Sequence, residues 1–269
     1  MKKLMALLLA LALALMLTAC GSPSSPDSDA DPTPASDLAY VQEKGTLVVG
    51  ITEFAPMDYL DADGNWIGFD ADMAAAFAGH LGVAVEFRVI DWDNKVADLN
   101  DKTIDVVWNG MTLNADVRAT METSRAYFNN AQVVIVRSEE AGRYQTAESL
   151  ADASFVVEAG SSGQEQADIY GFIYAPAADQ ATALQLVSSG KADAAIVDFL
   201  MAIAMVGENT AYPDLTYTVG LSHEEYGVGF RKGSDLAAAL NGFFHTSYIN
   251  GTMKTIARRY GIVAFLLGQ

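Results

Sequence analysis

Phe54 and Trp92 each fall where an apolar strand pattern gives way to a loop, after Thr46–Ile51 and after Val83–Ile90 respectively. A planar or cationic group held by such rings gains stacking or cation–π energy of about 0.5–2 kcal/mol. Packing against the strand ends would account for the same two residues. Trp108, at the end of a third apolar run, Ile104–Trp108, fits packing beneath a cleft. Asn109, Gly110 and Thr112 follow that run. In open α/β sheets the loops at strand carboxyl ends are where ligands bind. Gly160-Ser161-Ser162-Gly163 leads into a helical pattern. A glycine-rich turn at a helix N-terminus presents backbone N–H groups and a favourable dipole to an anion, although simple capping uses the same serines. Asp198 follows the strand pattern Ala194–Val197, where it also fits as the cap of a helix over Phe199–Val206. Glu53 and Glu158 are further candidate site acids, or ordinary solvated carboxylates.

Short apolar strands alternating with amphipathic helices must position these groups. Met57–Leu60 and Trp66–Phe69 flank an Asp-Gly turn and read as a hairpin. Its DADGN stretch lacks the glycine that an EF-hand needs at its sixth position, which is Trp66, so calcium is not expected. A helix is predicted over Ala71–Leu81 with Asp70 as N-cap and Gly82 beyond its end. Short helices follow at Asp93–Leu99 and, capped by Asn114, at Ala115–Met121. After a continuous apolar strand, Ala131–Val136, the pattern restarts. It gives a helix near Ala147–Ala151, a strand at Phe155–Val157, and helices at Gln164–Tyr174 and Gln180–Ser189. Strands at Tyr217–Val219 and Tyr226–Phe230 come next, then helices Asp235–Ile249 and Met253–Tyr260 with Ser234 and Thr252 as caps. Strand–helix alternation implies an α/β fold with largely parallel sheets, and the restart near residue 137 implies two lobes.

The amino-terminal end carries a different signal. Lys2 and Lys3 precede an apolar stretch, Leu4–Leu17, and small residues follow. This is the pattern of a secretory signal peptide over residues 1–19, too short to span a bilayer. Leu17-Thr18-Ala19-Cys20 resembles the lipobox of bacterial lipoproteins, which implies acylation at Cys20, the only cysteine in the chain. Residues 20–37, rich in Ser, Pro and Asp, read as a flexible spacer. The 34 acidic residues outnumber the 16 basic ones, for a net charge of −18. Such a chain repels nucleic acid and anionic lipid. His80, His223 and His245 are scattered, and no zinc motif can be drawn.

From Gly45 to about Gly261 the chain resembles the extracytoplasmic solute-binding proteins of polar amino-acid uptake systems, family 3. The resemblance rests on Gly45-Thr46-Leu47-Val48-Val49-Gly50, Phe54-Ala55-Pro56-Met57, Gly68-Phe69-Asp70-Ala71-Asp72, Asn109-Gly110-Met111-Thr112, Ala159-Gly160-Ser161-Ser162-Gly163, Gly190-Lys191-Ala192-Asp193-Ala194 and Tyr226-Gly227-Val228-Gly229. It implies a two-lobed periplasmic-binding-protein fold with two hinge strands, near Gln132–Val136 and Tyr226–Val228, and an interlobe cleft. Residues 38–132 plus 225–269 would form one lobe and 133–224 the other.

The resemblance also implies roles for the site residues. Phe54 and Trp92 would sandwich the ligand. The Thr112 hydroxyl with backbone N–H groups of the Asn109-Gly110 stretch, and Ser162 beside Ser161 in the second lobe, would hold a ligand carboxylate, and Asp198 would pair with a ligand amine. The family's carboxylate-binding arginine falls at Val117 here, which leaves Arg118, one place late, and Arg125, in a following loop, as the candidates to replace it in binding the ligand. One helical position is about 100° of rotation. The expected ligand is therefore an amino acid or related amine, with a cationic group favoured over an acidic one. The expected protein is a monomer without cofactor or metal, lipid-anchored outside the cytoplasmic membrane and partnered by an ABC permease. A dehydratase-like enzyme on the same fold, with Glu158 as acid or base, and a lipid-anchored sensory domain are the alternatives.

Overall fold

The structure, a computed structural model, describes residues 36–269. Cys20, the leader over residues 1–19 and the spacer up to residue 35 lie outside the described residues. The spacer expected to reach Asp37 has given way by Ser36, which caps helix α1 (Asp37–Lys44) by accepting from the Ala39 amide. Asp37 is buried, and Arg231 Nε donates to it at 2.9 Å.

Strand β1 (Thr46–Ile51) opens the first lobe, followed by the hairpin β2 (Tyr59–Leu60) and β3 (Trp66–Ile67). Helix α2 (Phe69–Leu81), β4 (Ala84–Val89), α3 (Lys95–Asn100), β5 (Val106–Thr112) and α4 (Ala115–Thr120) continue it. Then come β6 (Glu122–Thr123) and β7 (Phe128–Asn130). The chain next enters a second sheet with β8 (Gln132–Arg137), β9 (Phe155–Glu158) and α5 (Ser162–Tyr170). This part ends with β10 (Tyr174–Ala177), α6 (Gln180–Ser188), β11 (Ala194–Asp198), α7 (Phe199–Met205) and β12 (Leu215–Gly220). It returns through β13 (Glu224–Phe230) to the first sheet and closes with α8 (Leu236–Ile249) and α9 (Thr252–Arg259).

The first sheet has the order β4-β1-β5-β13-β6, with β7 also paired to β13, and the second β10-β9-β11-β8-β12. Neither is wholly parallel. Strand β1 runs parallel to β4 and β5, but β13 is antiparallel to β5, and β8 is antiparallel to both β11 and β12. The antiparallel members are the strands that carry the chain between the lobes and so enter each sheet against its direction. At the crossing, β7 and β13 pair with Asn130 opposite Glu224 and Tyr226 opposite Phe128. Behind the first sheet Trp108 is fully buried, edge-on to Phe77 and Phe244, as its position at the end of an apolar run predicted. Burying each such side chain contributes roughly 1.5–3 kcal/mol. Among the described residues no helix is long and apolar enough to cross a membrane.

Several local expectations are corrected. Asp70 lies inside α2, whose N-cap is Gly68 at φ 129°; a Cβ there would sit 2.1 Å from the Met57 carbonyl oxygen. Asn109, Gly110 and Thr112 belong to β5 itself rather than to a loop after it, because β13 pairs along β5 as far as Thr112. The helix predicted over Gln164–Tyr174 ends at Tyr170, where Gly171 adopts a left-handed cap, and Tyr174 begins an edge strand that accommodates Pro176. Residues around Ala147–Ala151 form a 3-10 turn at Glu148–Leu150. Asp235 and Gly251 occupy the N-cap positions predicted for Ser234 and Thr252.

Candidate functional site

The carboxyl ends of β1, β5, β9 and β11 converge on a cavity of about 60 Å³ between the two sheets. Phe54, Trp92, Asn109, Gly110 and Thr112 line it from one lobe, and Ser161, Ser162 and Asp198 from the other. Phe54 meets Tyr226 edge-on at 6.3 Å. Gly110 has a φ of +56°, and a Cβ there would lie 2.3 Å from the Phe54 ring, so only glycine lets ring and strand approach this closely.

Not every lining side chain has a free polar group. Asn109 spends its amide within its own lobe: Oδ1 accepts from the Thr52 amide at 3.0 Å and the Thr52 hydroxyl at 2.8 Å, while Nδ2 donates to Asp58 Oδ2 at 2.7 Å. Below it, Asp70 accepts from the Gly110 amide and the Tyr127 hydroxyl, each at 2.7 Å. Burial raises the pKa of Asp70 to about 7 and that of Asp58 well above the carboxylate range, the latter also pushed up by Asp70. Ser161 caps α5 by accepting from the Gln164 amide, and it donates to the Glu158 carbonyl.

The charged residues give the cavity its character. Asp198 is buried and does not cap α7 with its side chain. Its Oδ1 accepts from the Tyr226 hydroxyl at 2.8 Å, from Gln132 Nε2 at 3.0 Å and from Asn130 Nδ2, and its Oδ2 accepts from Gln180 Nε2. Glu158 is 4% exposed and lines the cavity, and its Oε1 has no hydrogen-bond partner. Burial, reinforced by Asp198, raises the Glu158 pKa to about 8; burial, reinforced by Glu224, does the same to Asp198. The lone cationic side chain of the lining is Lys95. Its Nζ lies 5.0 Å from the Trp92 ring centroid and donates to the Trp92 carbonyl at 3.0 Å and, across the lobes, to the Gly160 carbonyl at 2.9 Å. Burial lowers the Lys95 pKa, against the opposing pull of Glu158 and neighbouring aspartates. A second interlobe bond joins Asn114 Nδ2 to Glu165 Oε2 at 2.8 Å. The lobes are thus closed on one another.

Two expected site residues are not in this cavity. Arg118 is exposed on α4 and donates from Nε to the Leu113 carbonyl, while Val117, one position earlier, turns into the lining. The rotation between adjacent helical positions is the reason. Glu53 is exposed and borders a separate depression with Val89, Asp91 and Asp179. Arg125 is exposed as well, with its amide on Asn241. Residues that the sequence reading passed over include Lys95, Gln180 and Glu224. Lys95 stands three positions after Trp92, a spacing that brings it to the same face; nothing local marks the other two.

A two-lobed α/β molecule closed over a polar cavity at strand carboxyl ends is the architecture of a solute-binding protein. The chain belongs to the bacterial extracellular solute-binding proteins, family 3, whose profile matches residues 47–262. Among its relatives is the L-cystine-binding protein TcyJ of Escherichia coli, 29% identical over 82% of this chain and 84% of that one. The cyclohexadienyl dehydratase of Pseudomonas aeruginosa is 27% identical over 62% of this chain and 64% of the enzyme. A substrate-binding protein of an ABC uptake transporter from Streptococcus pneumoniae, solved with bound histidine, superposes with a TM-score of 0.77. It is 26% identical and covers 85% of this chain and 97% of its own.

Proposed function

We propose that this protein is the lipid-anchored, ligand-binding component of an ABC importer, capturing a small polar solute with a cationic amine by closure of its lobes. The observation that carries the reading is the unpartnered Glu158 Oε1 in a closed cavity that also holds Asp198 and, among its lining residues, a single cation. A buried carboxyl oxygen without a hydrogen-bond partner is costly, and a ligand ammonium supplies a partner as the group gives up its proton. Phe54 and Trp92 give the same ligand a π surface. Acylation of Cys20, anchorage at the outer face of the cytoplasmic membrane, a permease partner and a monomeric state complete the reading. They are supported by the lipobox resemblance and by family membership. A thermal-shift screen of amino acids, amines and short peptides tests it. Cationic solutes should raise the melting temperature, and a response confined to acidic or neutral solutes would refute the charge assignment.

A specific observation also favours a second reading. Glu158, held protonated by burial in a closed cavity, has the properties of a general acid, as a dehydratase would require. Turnover of a supplied hydroxy-acid substrate, abolished in Glu158→Gln, would decide for the enzyme.

A further inference from the structure

Glu224, at the first position of β13 where the chain crosses between lobes, is not among the residues expected to touch a ligand. Yet its carboxylate occupies the two hydroxyls assigned to a ligand carboxylate. Thr112 Oγ1, from the first lobe, donates to Glu224 Oε1 at 2.7 Å, and Ser162 Oγ, from the second, donates to Oε2 at 2.8 Å. Asn130 Nδ2 and Gln132 Nε2 add bonds of 2.6 and 2.7 Å to Oε1. The pattern is that of a bound carboxylate bridging the lobes, except that the protein supplies it.

We infer that Glu224 stands in for the ligand's α-carboxylate, so that the cleft selects amines lacking one over the corresponding amino acids. The inference rests on the solute-binding reading above and deepens it.

Each hydroxyl has one proton to give, and both protons point to Glu224. A ligand carboxylate at Thr112 and Ser162 would have to expel Glu224 or lie against its negative charge. The arginine that could outweigh that repulsion is absent: Val117 lines the cavity and Arg118 faces away. Lys95 offers no ready substitute. Two of its three protons go to the Trp92 and Gly160 carbonyls, and its charge already faces Asp93 and Asp116. For a cation the balance is reversed. Glu158 Oε1 is buried and unpartnered within the cavity, whereas both Asp198 oxygens are occupied by donors. Glu158 is therefore the acceptor for the ligand ammonium, and Asp198 organises the crossing strands behind it.

The test is titration calorimetry of the full chain with matched pairs: agmatine and L-arginine, cadaverine and L-lysine, histamine and L-histidine. Wild-type protein should bind at least one amine more than tenfold tighter than its parent amino acid. Glu224→Ala, which frees Thr112 and Ser162, should shrink that preference at least fivefold by improving the amino acid. Glu224→Gln, which keeps the shape and removes the charge, should move in the same direction. It serves as the readout if the alanine variant fails to fold. Equal or tighter wild-type binding of every amino acid would overturn the inference while leaving solute binding intact. So would equal losses for both members of a pair in the Glu224 variants. Binding of no member of any pair would overturn both the inference and the reading on which it rests.

Discussion

Affinity for a cationic ligand should rise with pH, and the size of the effect follows from Glu158. Burial raises its pKa to about 8, so near pH 7 the empty closed cavity holds this carboxyl mostly protonated. An ammonium requires the ionised form, so binding must release the proton. The ionised fraction is about one part in a hundred near pH 6, about a tenth near pH 7 and about nine-tenths near pH 9. The apparent Kd should therefore fall roughly tenfold from about pH 6 to about pH 7, roughly fivefold more by about pH 8, and then level off, because the competent form is only fractionally populated below its pKa. A ligand whose own amine titrates above this range keeps its charge constant. Calorimetry in two buffers of different ionisation enthalpy measures the proton directly: about one should be released per ligand near pH 7. In Glu158→Gln the pH dependence should flatten and the affinity near pH 9 should drop by roughly tenfold or more, the scale of a lost charged hydrogen bond. An affinity unchanged between pH 6 and pH 9, or proton uptake on binding, would refute the reasoning.

Other outcomes follow from neighbouring geometry. Because the folded-state pKa of Glu158 is raised from 4.5 to about 8, its stabilising contribution is fully present below the unfolded value and lost as pH rises through the folded one. The melting temperature of ligand-free protein should fall across that window, and Glu158→Gln should lessen the fall. Gly160 has a φ of +68°, and an added Cβ would lie 2.7 Å from Asp93 Oδ1 and 2.8 Å from Asp93 Cα across the lobes. Gly160→Ala should thus hold the lobes apart, weakening binding roughly tenfold or more, about 1.4 kcal/mol, and enlarging the ligand-saturated radius of gyration in X-ray scattering. Arg118→Ala should change affinity less than about twofold, since its side chain reaches only the Leu113 carbonyl. Cys20→Ala should release the protein from membranes, seen by fractionation and by absence of acyl mass on the mature N-terminus.

Much of the architecture was legible because its signals are local. The run Thr46–Ile51, the Asp-Gly hairpin, the Gly82 cap and the Asn114 cap all appear where their residue types demand. The errors arose where distant partners decide the outcome. Thr112 reads as a loop residue until β13 returns to pair with β5, and Asp70 reads as a cap until Gly110 and Tyr127 are brought to it. The site shows the same division. Phe54, Trp92, Thr112, Ser162 and Asp198 were found at strand ends and a glycine turn, and they line one cavity. Glu53 was misplaced because side chains alternate across an extended segment, so the neighbour of Phe54 faces another depression. Glu224 carried no local signal in a chain with 34 acidic residues; only the crossing of two strands brings it to Thr112 and Ser162.

The most direct test of the account is a crystal structure of the protein with the tightest-binding solute from the amine and amino-acid panel. The account predicts a ligand ammonium within about 3.2 Å of Glu158 Oε1, an apolar or cationic portion against Phe54 and Trp92, and Glu224 still bonded to Thr112 and Ser162. A ligand carboxylate on Thr112 and Ser162 with Glu224 displaced, or a ligand that leaves Glu158 without a partner, would contradict it.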